Sequence, residues 1–160
     1  MPSLLQPLIK KQKMAIRLIS GANYNSHTEP LFKKLSILPL TNLITFFNLK
    51  LIHSFVYNNI PVAFHNTWLT NREYRLIQLN NDEIALRNDN DLHIPFCNKS
   101  NLLRFPLFNL PKIWNNLPDI ITSTANPYHF YLQLKIHLIS SLTDTPNCTR
   151  LLCPSCHLNL

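Results

Sequence analysis

The sequence predicts a mainly α fold: a small irregular helical domain with short strands or extended segments around 72-110 and a Cys-rich terminal tail. First, apolar residues recur at helical spacing over 4–20, 41–57 and 127–142. Second, the chain has 12 prolines and one glycine, which disfavours the two-residue turns of tight hairpins. Third, 46% of the residues are hydrophobic, enough for a core.

The length and composition predict one domain and suggest its partners. We assign residues 1–143 to the helical domain and 144–160 to a Cys/His-containing tail. The net charge of +7 and the pI of about 9.4 favour RNA or DNA as a partner, although many basic domains bind neither. Only 14% of the residues are charged, which suggests that another protein domain covers part of the surface.

The first helix, 4–20, has an apolar and a basic side. Lys10, Lys13 and Arg17 recur at i, i+3 and i+7, and Gly21 ends the helix. Cations on one helical face can follow a phosphate backbone; a solvated face is the alternative. The opposite side is predicted to carry Leu5, Leu8, Gln12, Ala15, Ile16 and Ile19.

A second short helix is predicted over 28–35, with Thr28 as its N-cap and two lysines at its end. These lysines extend the cationic surface of the first helix. We expect sequence-independent binding of RNA or DNA, because nothing indicates a base-reading helix. The predicted nucleic-acid-binding residues are Lys10, Lys11, Lys13, Arg17, Lys33 and Lys34.

The helix predicted over 41–57, capped by Thr41, is apolar on nearly every side. Such a helix is either central or covered by a partner. His53 on this helix is expected to be a hydrogen-bonded core or boundary histidine rather than a metal ligand. A loop or short helix follows over 61–70.

The region after residue 71 is expected to be less helical. Short strands are predicted at 72–79 and 83–86, and a solvated polar turn at 87–91. The Asp89-x-Asp91 pair in that turn lacks the glycine and distal glutamate of a calcium loop.

Three prolines punctuate the apolar segment 104–123. Proline fixes its own φ and favours an extended preceding residue. We therefore predict an extended strap with one helical piece at 111–116. Its Trp114 needs a pocket that the rest of the chain supplies.

The pattern P-x-x-W-N-x-L-P-x-x-I at 111–121 resembles the segment downstream of the polymerase domain in reverse transcriptases of non-LTR, LINE-like retrotransposons. Further similar segments follow the same order, so the resemblance covers nearly the whole chain. They are KKQKMAIRLIS (10–20), HTEPLFKKLSILPL (27–40), NNIPVAF (58–64), LRNDND (86–91) and CTRLLCPSCH (148–157).

The resemblance implies the terminal part of an RNA-directed DNA polymerase without its catalytic palm. Phosphoryl transfer in that family needs carboxylates that hold two metal ions, and no position here matches them. We therefore expect no enzymatic activity and no catalytic residue, with RNA, DNA, a polymerase domain or another protein chain as partner. The alternatives are a protein-interaction module that binds no nucleic acid and a degenerate fragment without selected function.

The terminal sequence C-x4-C-x2-C-H indicates a zinc site formed by Cys148, Cys153, Cys156 and His157. Adjacent residues rarely bind the same tetrahedral ion, so a water, Cys97 or another chain is an alternative to His157 as fourth ligand. Reduced thiols that hold no metal, or a disulfide, are also compatible with this spacing.

Cysteine usage and hydropathy indicate the compartment. One isolated and three clustered cysteines do not make a disulfide framework. No apolar run reaches the ~20 residues of a membrane span, and the N-terminus does not resemble a signal peptide. We expect an intracellular protein, nuclear or cytoplasmic, neither secreted nor membrane-bound.

Overall fold

The computed structural model describes residues 5–65, 67–79, 88–98 and 105–142, and most of these residues are helical. None of the residues in these ranges belongs to a β-strand, and an isolated antiparallel bridge joins Thr70 to Leu92. The predicted mainly α class is therefore confirmed. The described helices are α1 (Gln6–Ile19), α2 (Glu29–Lys34), α3 (Leu40–Val56), a 3-10 turn (Val62–Phe64), α4 (Asn71–Leu79), α5 (Pro106–Asn115), α6 (Asp119–Thr122) and α7 (Pro127–Ser140).

The contacts between residues divide the chain into two compact units. Unit 1 comprises Met1–Phe46 and Leu132–Leu160, and unit 2 comprises Phe47–Tyr131. The predicted boundary after residue 143 falls outside the described residues and stays a prediction. Among the helices that the structure describes, none has the length and apolar composition needed to cross a lipid bilayer.

In unit 1, the side chain of Gln12 joins α1 to the start of α3. Its Nε2 donates to the carbonyl oxygen of Leu38 at 3.1 Å, and its Oε1 accepts from the N–H of Leu40 at 2.8 Å. The first N–H groups of a helix have no partner within the helix. The cap predicted for Thr41 is therefore wrong: α3 begins at Leu40 and a glutamine from α1 caps it.

In unit 2, the buried His53 is surrounded by aromatic rings. Its imidazole stacks on Phe130 with ring centroids 4.1 Å apart, and lies 4.6 Å from the ring of Tyr57. Its Nε2 donates to the carbonyl oxygen of Thr124 at 2.9 Å. The expectation of a hydrogen-bonded core histidine is confirmed, because none of its surface is exposed.

The helix α3 is buried on one side only. Leu49 and Ile52 are completely buried, whereas Phe47 and Leu51 are 57% and 47% exposed. The burial of Leu49 and Ile52 agrees with a helix that contributes to the core, while its exposed side leaves room for a covering partner. Such a partner stays a prediction.

The strand predicted over 72–79 is wrong, because these residues belong to α4. Thr70 and Glu73 form a capping box at its start. The hydroxyl oxygen of Thr70 accepts from the N–H of Glu73 at 3.2 Å, and the Glu73 carboxylate accepts from the N–H of Thr70 at 2.7 Å. These bonds satisfy donors that a helix start leaves unpaired. The strand predicted at 83–86 lies outside the described residues.

The strap is more helical than predicted. Phe105 is extended, as a residue before proline should be, but α5 begins directly at Pro106. Proline fits the first turn of a helix, where its missing N–H would have no partner. Pro111 lies inside α5 rather than at its start, so the N–H that would bond to Leu107 is absent. Trp114 is buried as expected, with 6% of its surface exposed.

Candidate nucleic-acid interface

Three basic side chains form a stripe along α1. Lys10, Lys13 and Arg17 lie within about 60° of one another around the helix axis, because the helix has 3.6 residues per turn. The stripe is about 10 Å long, a length over which one nucleic-acid strand carries about three phosphates. Lys10 is exposed, and the other two are partly exposed. The structure thus places the three residues on one face, and their binding to phosphates stays a prediction.

The buried side of α1 differs from the predicted one. Ile16 is buried, but Leu8 and Ile19 are 54% and 67% exposed. The less exposed side instead follows Ile9, Gln12 and Ile16. The two hydrogen bonds of Gln12 turn this side inward. As a result, the basic stripe flanks the buried side rather than lying opposite to it.

The other three predicted cations are not part of the stripe. Lys11 is exposed and lies about 100° around α1 from Lys10. Lys33 and Lys34 occupy the last turn of α2, where positive charge complements the helix dipole. The helix α2 packs on α1, so all six predicted residues belong to two adjoining helices of unit 1.

Gly21 ends α1 in the way the sequence predicts. Its φ of 63° lies in the left-handed region, which glycine adopts without steric cost. Its N–H bonds to the carbonyl oxygen of Leu18 at 3.2 Å, and the N–H of Ala22 bonds to that of Arg17 at 3.0 Å. These two bonds form a Schellman motif, which fixes the direction in which the chain leaves the helix.

The segment after Gly21 returns to the basic stripe and anchors Arg17. Nε of Arg17 donates to the carbonyl oxygen of Ser26 at 3.0 Å. The guanidinium carbon lies 5.8 Å from the centroid of the Tyr24 ring, within the range of a cation–π contact. Tyr24 was not among the predicted site residues, although an aromatic residue between two asparagines, three residues after a helix-ending glycine, was a visible indication.

The two units carry very different net charge. The segments of unit 1 contain eight lysines and arginines and two acidic residues, a net charge of +6. The segment of unit 2 contains seven basic and six acidic residues, a net charge of +1. Nearly all of the positive charge of the chain therefore belongs to the unit with the basic stripe.

Unit 2 contains a cavity of about 410 Å³ that no sequence pattern predicts. Its lining includes the aromatic residues Tyr57 and Trp114 and the acidic residues Asp91 and Asp119. Two carboxylates make such a cavity unsuitable for a phosphate group, since like charges repel. The cavity therefore adds nothing to the polyanion-binding surface of unit 1.

The turn at 88–90 is less solvated than predicted. Asp89 pairs with Arg75 of α4, and 14% of its side chain is exposed. An arginine from another segment therefore binds the carboxylate that the sequence assigned to solvent. The neighbouring Asp91 lines the cavity, so the expectation of a wholly solvated Asp-x-Asp turn is wrong.

The predicted zinc ligands, Cys148, Cys153, Cys156 and His157, lie outside the described residues. Within the part of the chain that the structure describes, no three His, Cys, Asp or Glu side chains are grouped so as to hold a metal ion. Cys97, an alternative ligand, is of intermediate exposure.

The residues of the 111–121 pattern, one of the segments that carry the retrotransposon resemblance, occupy defined places in unit 2. Trp114 and Ile121 are buried, and Pro118 precedes the first residue of α6. The resemblance nevertheless stays a prediction. No family model, no curated protein and no solved structure matches the chain.

Proposed function

We propose that this chain binds the phosphate backbone of RNA or DNA through α1 and α2 of unit 1. The observation that carries this proposal is the stripe of Lys10, Lys13 and Arg17 in a unit of net charge +6. The helix α1 itself contains no acidic residue, and the segments of unit 1 contain two acids against eight basic residues. Counterion release makes such contacts favourable at low salt and independent of base sequence.

We propose that the chain acts as the supporting, terminal part of a polymerase that resembles the LINE-like reverse transcriptases. In this role it holds RNA or DNA and packs against a polymerase domain, and it has no catalytic residues of its own. We also propose that the cysteine tail binds one zinc ion. Two thiolates at C-x2-C spacing reach one ion readily, and Cys148 is near enough in sequence to be a third ligand.

The test compares two pairs of substitutions by fluorescence anisotropy with short labelled RNA and DNA. The first variant is Lys10→Gln/Lys13→Gln, which leaves the anchored Arg17 in place. The control, Arg72→Gln/Lys112→Gln, removes the same charge from exposed positions of unit 2. At about 50 mM salt the first pair should weaken binding about tenfold or more, and the control much less. Equal effects of the two pairs would contradict an interface on α1.

A protein-interaction module is the second candidate function, and the exposed side of α3 favours it. Phe47 and Leu51 are four residues apart on the same helix side and are 57% and 47% exposed. Exposed apolar residues in such an arrangement are typical of surfaces that other proteins cover. Phe47→Ser/Leu51→Ser should leave nucleic-acid binding unchanged if the two surfaces are separate.

A further inference from the structure

Tyr24 is 79% exposed, although it belongs to a hydrogen-bonded turn next to the basic stripe. The N–H of Ser26 bonds to the carbonyl oxygen of Asn23 at 2.9 Å. This bond closes a turn with Tyr24 and Asn25 at its tip. Asn23 and Asn25 are exposed on either side of the ring.

Two constraints hold this turn at the end of the stripe. The Schellman motif at Gly21 sets the direction of the chain after α1. The hydrogen bond from Arg17 to the carbonyl oxygen of Ser26 then ties the far side of the turn to the helix. The Tyr24 ring is thereby held near a cation of the stripe, with the guanidinium 5.8 Å from its centroid.

We propose that the interface of unit 1 binds single-stranded nucleic acid, with one unpaired base stacked on Tyr24. This inference rests on the proposed function and names the form of its ligand. Single-strand-binding surfaces combine cations that follow the backbone with exposed aromatic rings on which bases stack. Both elements are present here, and the amides of Asn23 and Asn25 can bond to the edges of an unstacked base.

A duplex fits this arrangement less well. Its bases are stacked on one another and their faces are not accessible to a side chain unless a nucleotide leaves the helix. A duplex would therefore contact the cations of α1 but leave the ring of Tyr24 exposed. The structure thus predicts a preference for single strands that depends on Tyr24 and not on the number of phosphate contacts.

The test measures anisotropy of a labelled 12-nucleotide single strand, as RNA and as DNA, and of the matching duplexes. Three variants of the full chain are compared with the wild type: Tyr24→Ala, Tyr24→Phe and Tyr128→Ala. Tyr128 is the control, because it is a tyrosine of unit 2 with 72% exposure. Circular dichroism establishes that each variant is folded.

We expect the wild type to bind single strands more tightly than duplexes. Tyr24→Ala should weaken single-strand binding by about fivefold to a hundredfold, the range for loss of one base–aromatic stack, without changing the salt dependence. Tyr24→Phe should bind like the wild type, because the ring is retained, and so should Tyr128→Ala. Duplex binding should be the same in all four proteins.

Two results would overturn the proposal, and they can be told apart. If neither form of nucleic acid binds in a salt-dependent way, the proposed function fails and this inference fails with it. If binding is salt-dependent but equal for single strands and duplexes, and Tyr24→Ala binds like Tyr128→Ala, the proposed function stands and the stacking site is refuted.

Discussion

Nε1 of the Trp68 indole donates a hydrogen bond to the carbonyl oxygen of Leu107 at 3.2 Å. In an uninterrupted helix that carbonyl would accept from the residue four positions later. That residue is Pro111, which has no N–H. The indole therefore supplies the hydrogen bond that the proline removes from α5.

The pairing of Trp68 with Leu107 predicts a coupling between Trp68 and Pro111. Trp68→Phe should cost about 1–2 kcal/mol, because it leaves a half-buried carbonyl without its partner. In a Pro111→Ala background the backbone N–H is restored, and the same substitution should cost at least about 0.5 kcal/mol less. A double-mutant cycle by urea unfolding measures the difference, and additive effects would show that the bond does not contribute.

Trp114→Ala should destabilise the fold by about 3–5 kcal/mol, the usual cost of removing a buried large aromatic side chain. Trp114 is 6% exposed, and the centroid of its ring lies 5.8 Å from that of Phe130. The matched control is Phe96→Ala, because Phe96 is 88% exposed. Denaturant melts that give Trp114→Ala a loss below about 1 kcal/mol would contradict the described core.

The stability of the fold should decrease as the pH falls below about 6.5. Burial lowers the pKa of His53 below its ordinary value of 6.5, against a smaller opposing effect of its bond to Thr124. Since Nε2 donates to that carbonyl, a second proton would go to Nδ1, which is buried without a hydrogen-bond partner. On acidification, His53 therefore binds a proton in the unfolded chain before it does so in the folded one. Stability is lost as the pH falls from 6.5 towards the lower pKa of His53 in the folded state.

Urea melts from pH 8 to pH 5 measure this dependence. His53→Gln should flatten the curve below pH 6.5. Burial also lowers the pKa of His93, which stacks on Tyr74 with ring centroids 3.7 Å apart. The double variant His53→Gln/His93→Gln should therefore flatten the curve of stability against pH further. Stability that stays constant or rises on acidification of the wild type would be incompatible with these lowered pKa values.

The sequence predicted the long helices and the residue that ends α1, because these features depend on local spacing. Apolar periodicity located α1, α3 and α7, and Gly21 was the obvious helix stop. The capping box of Thr70 and Glu73 was equally local but was overlooked in favour of strand propensity. Pro111 was misread because a proline inside a helix leaves the carbonyl oxygen of Leu107 without its helical donor, and the replacement donor, Trp68, is distant in sequence.

Other features of the candidate sites depend on segments far apart in sequence. In the sequence, Gln12 is a polar interruption of an apolar face. It acts as a cap only because the fold places the N–H of Leu40 next to its side-chain oxygen. The cavity of unit 2 forms where Tyr57, Asp91 and Trp114 meet. Sequence spacing contains no information about such contacts, so neither was predictable.

The cysteine tail should hold about one zinc ion per chain when the protein is purified under reducing conditions. Thiolate ligands bind zinc tightly, so Cys153→Ser/Cys156→Ser should lose the metal, as measured by elemental analysis. Because these cysteines follow residue 143, the helical circular dichroism of the variant should equal that of the wild type. Metal-free wild-type protein would contradict the zinc site.

The salt dependence of nucleic-acid binding tests the central claim most directly. If four to six of the cations on α1 and α2 contact phosphates, a plot of log K against log salt concentration should have a slope of about −3 to −5. Lys10→Gln/Lys13→Gln should flatten the slope by about 2, close to one unit for each lost contact. A wild-type slope near zero, or the same slope in both proteins, would show that the stripe on α1 does not bind the phosphate backbone.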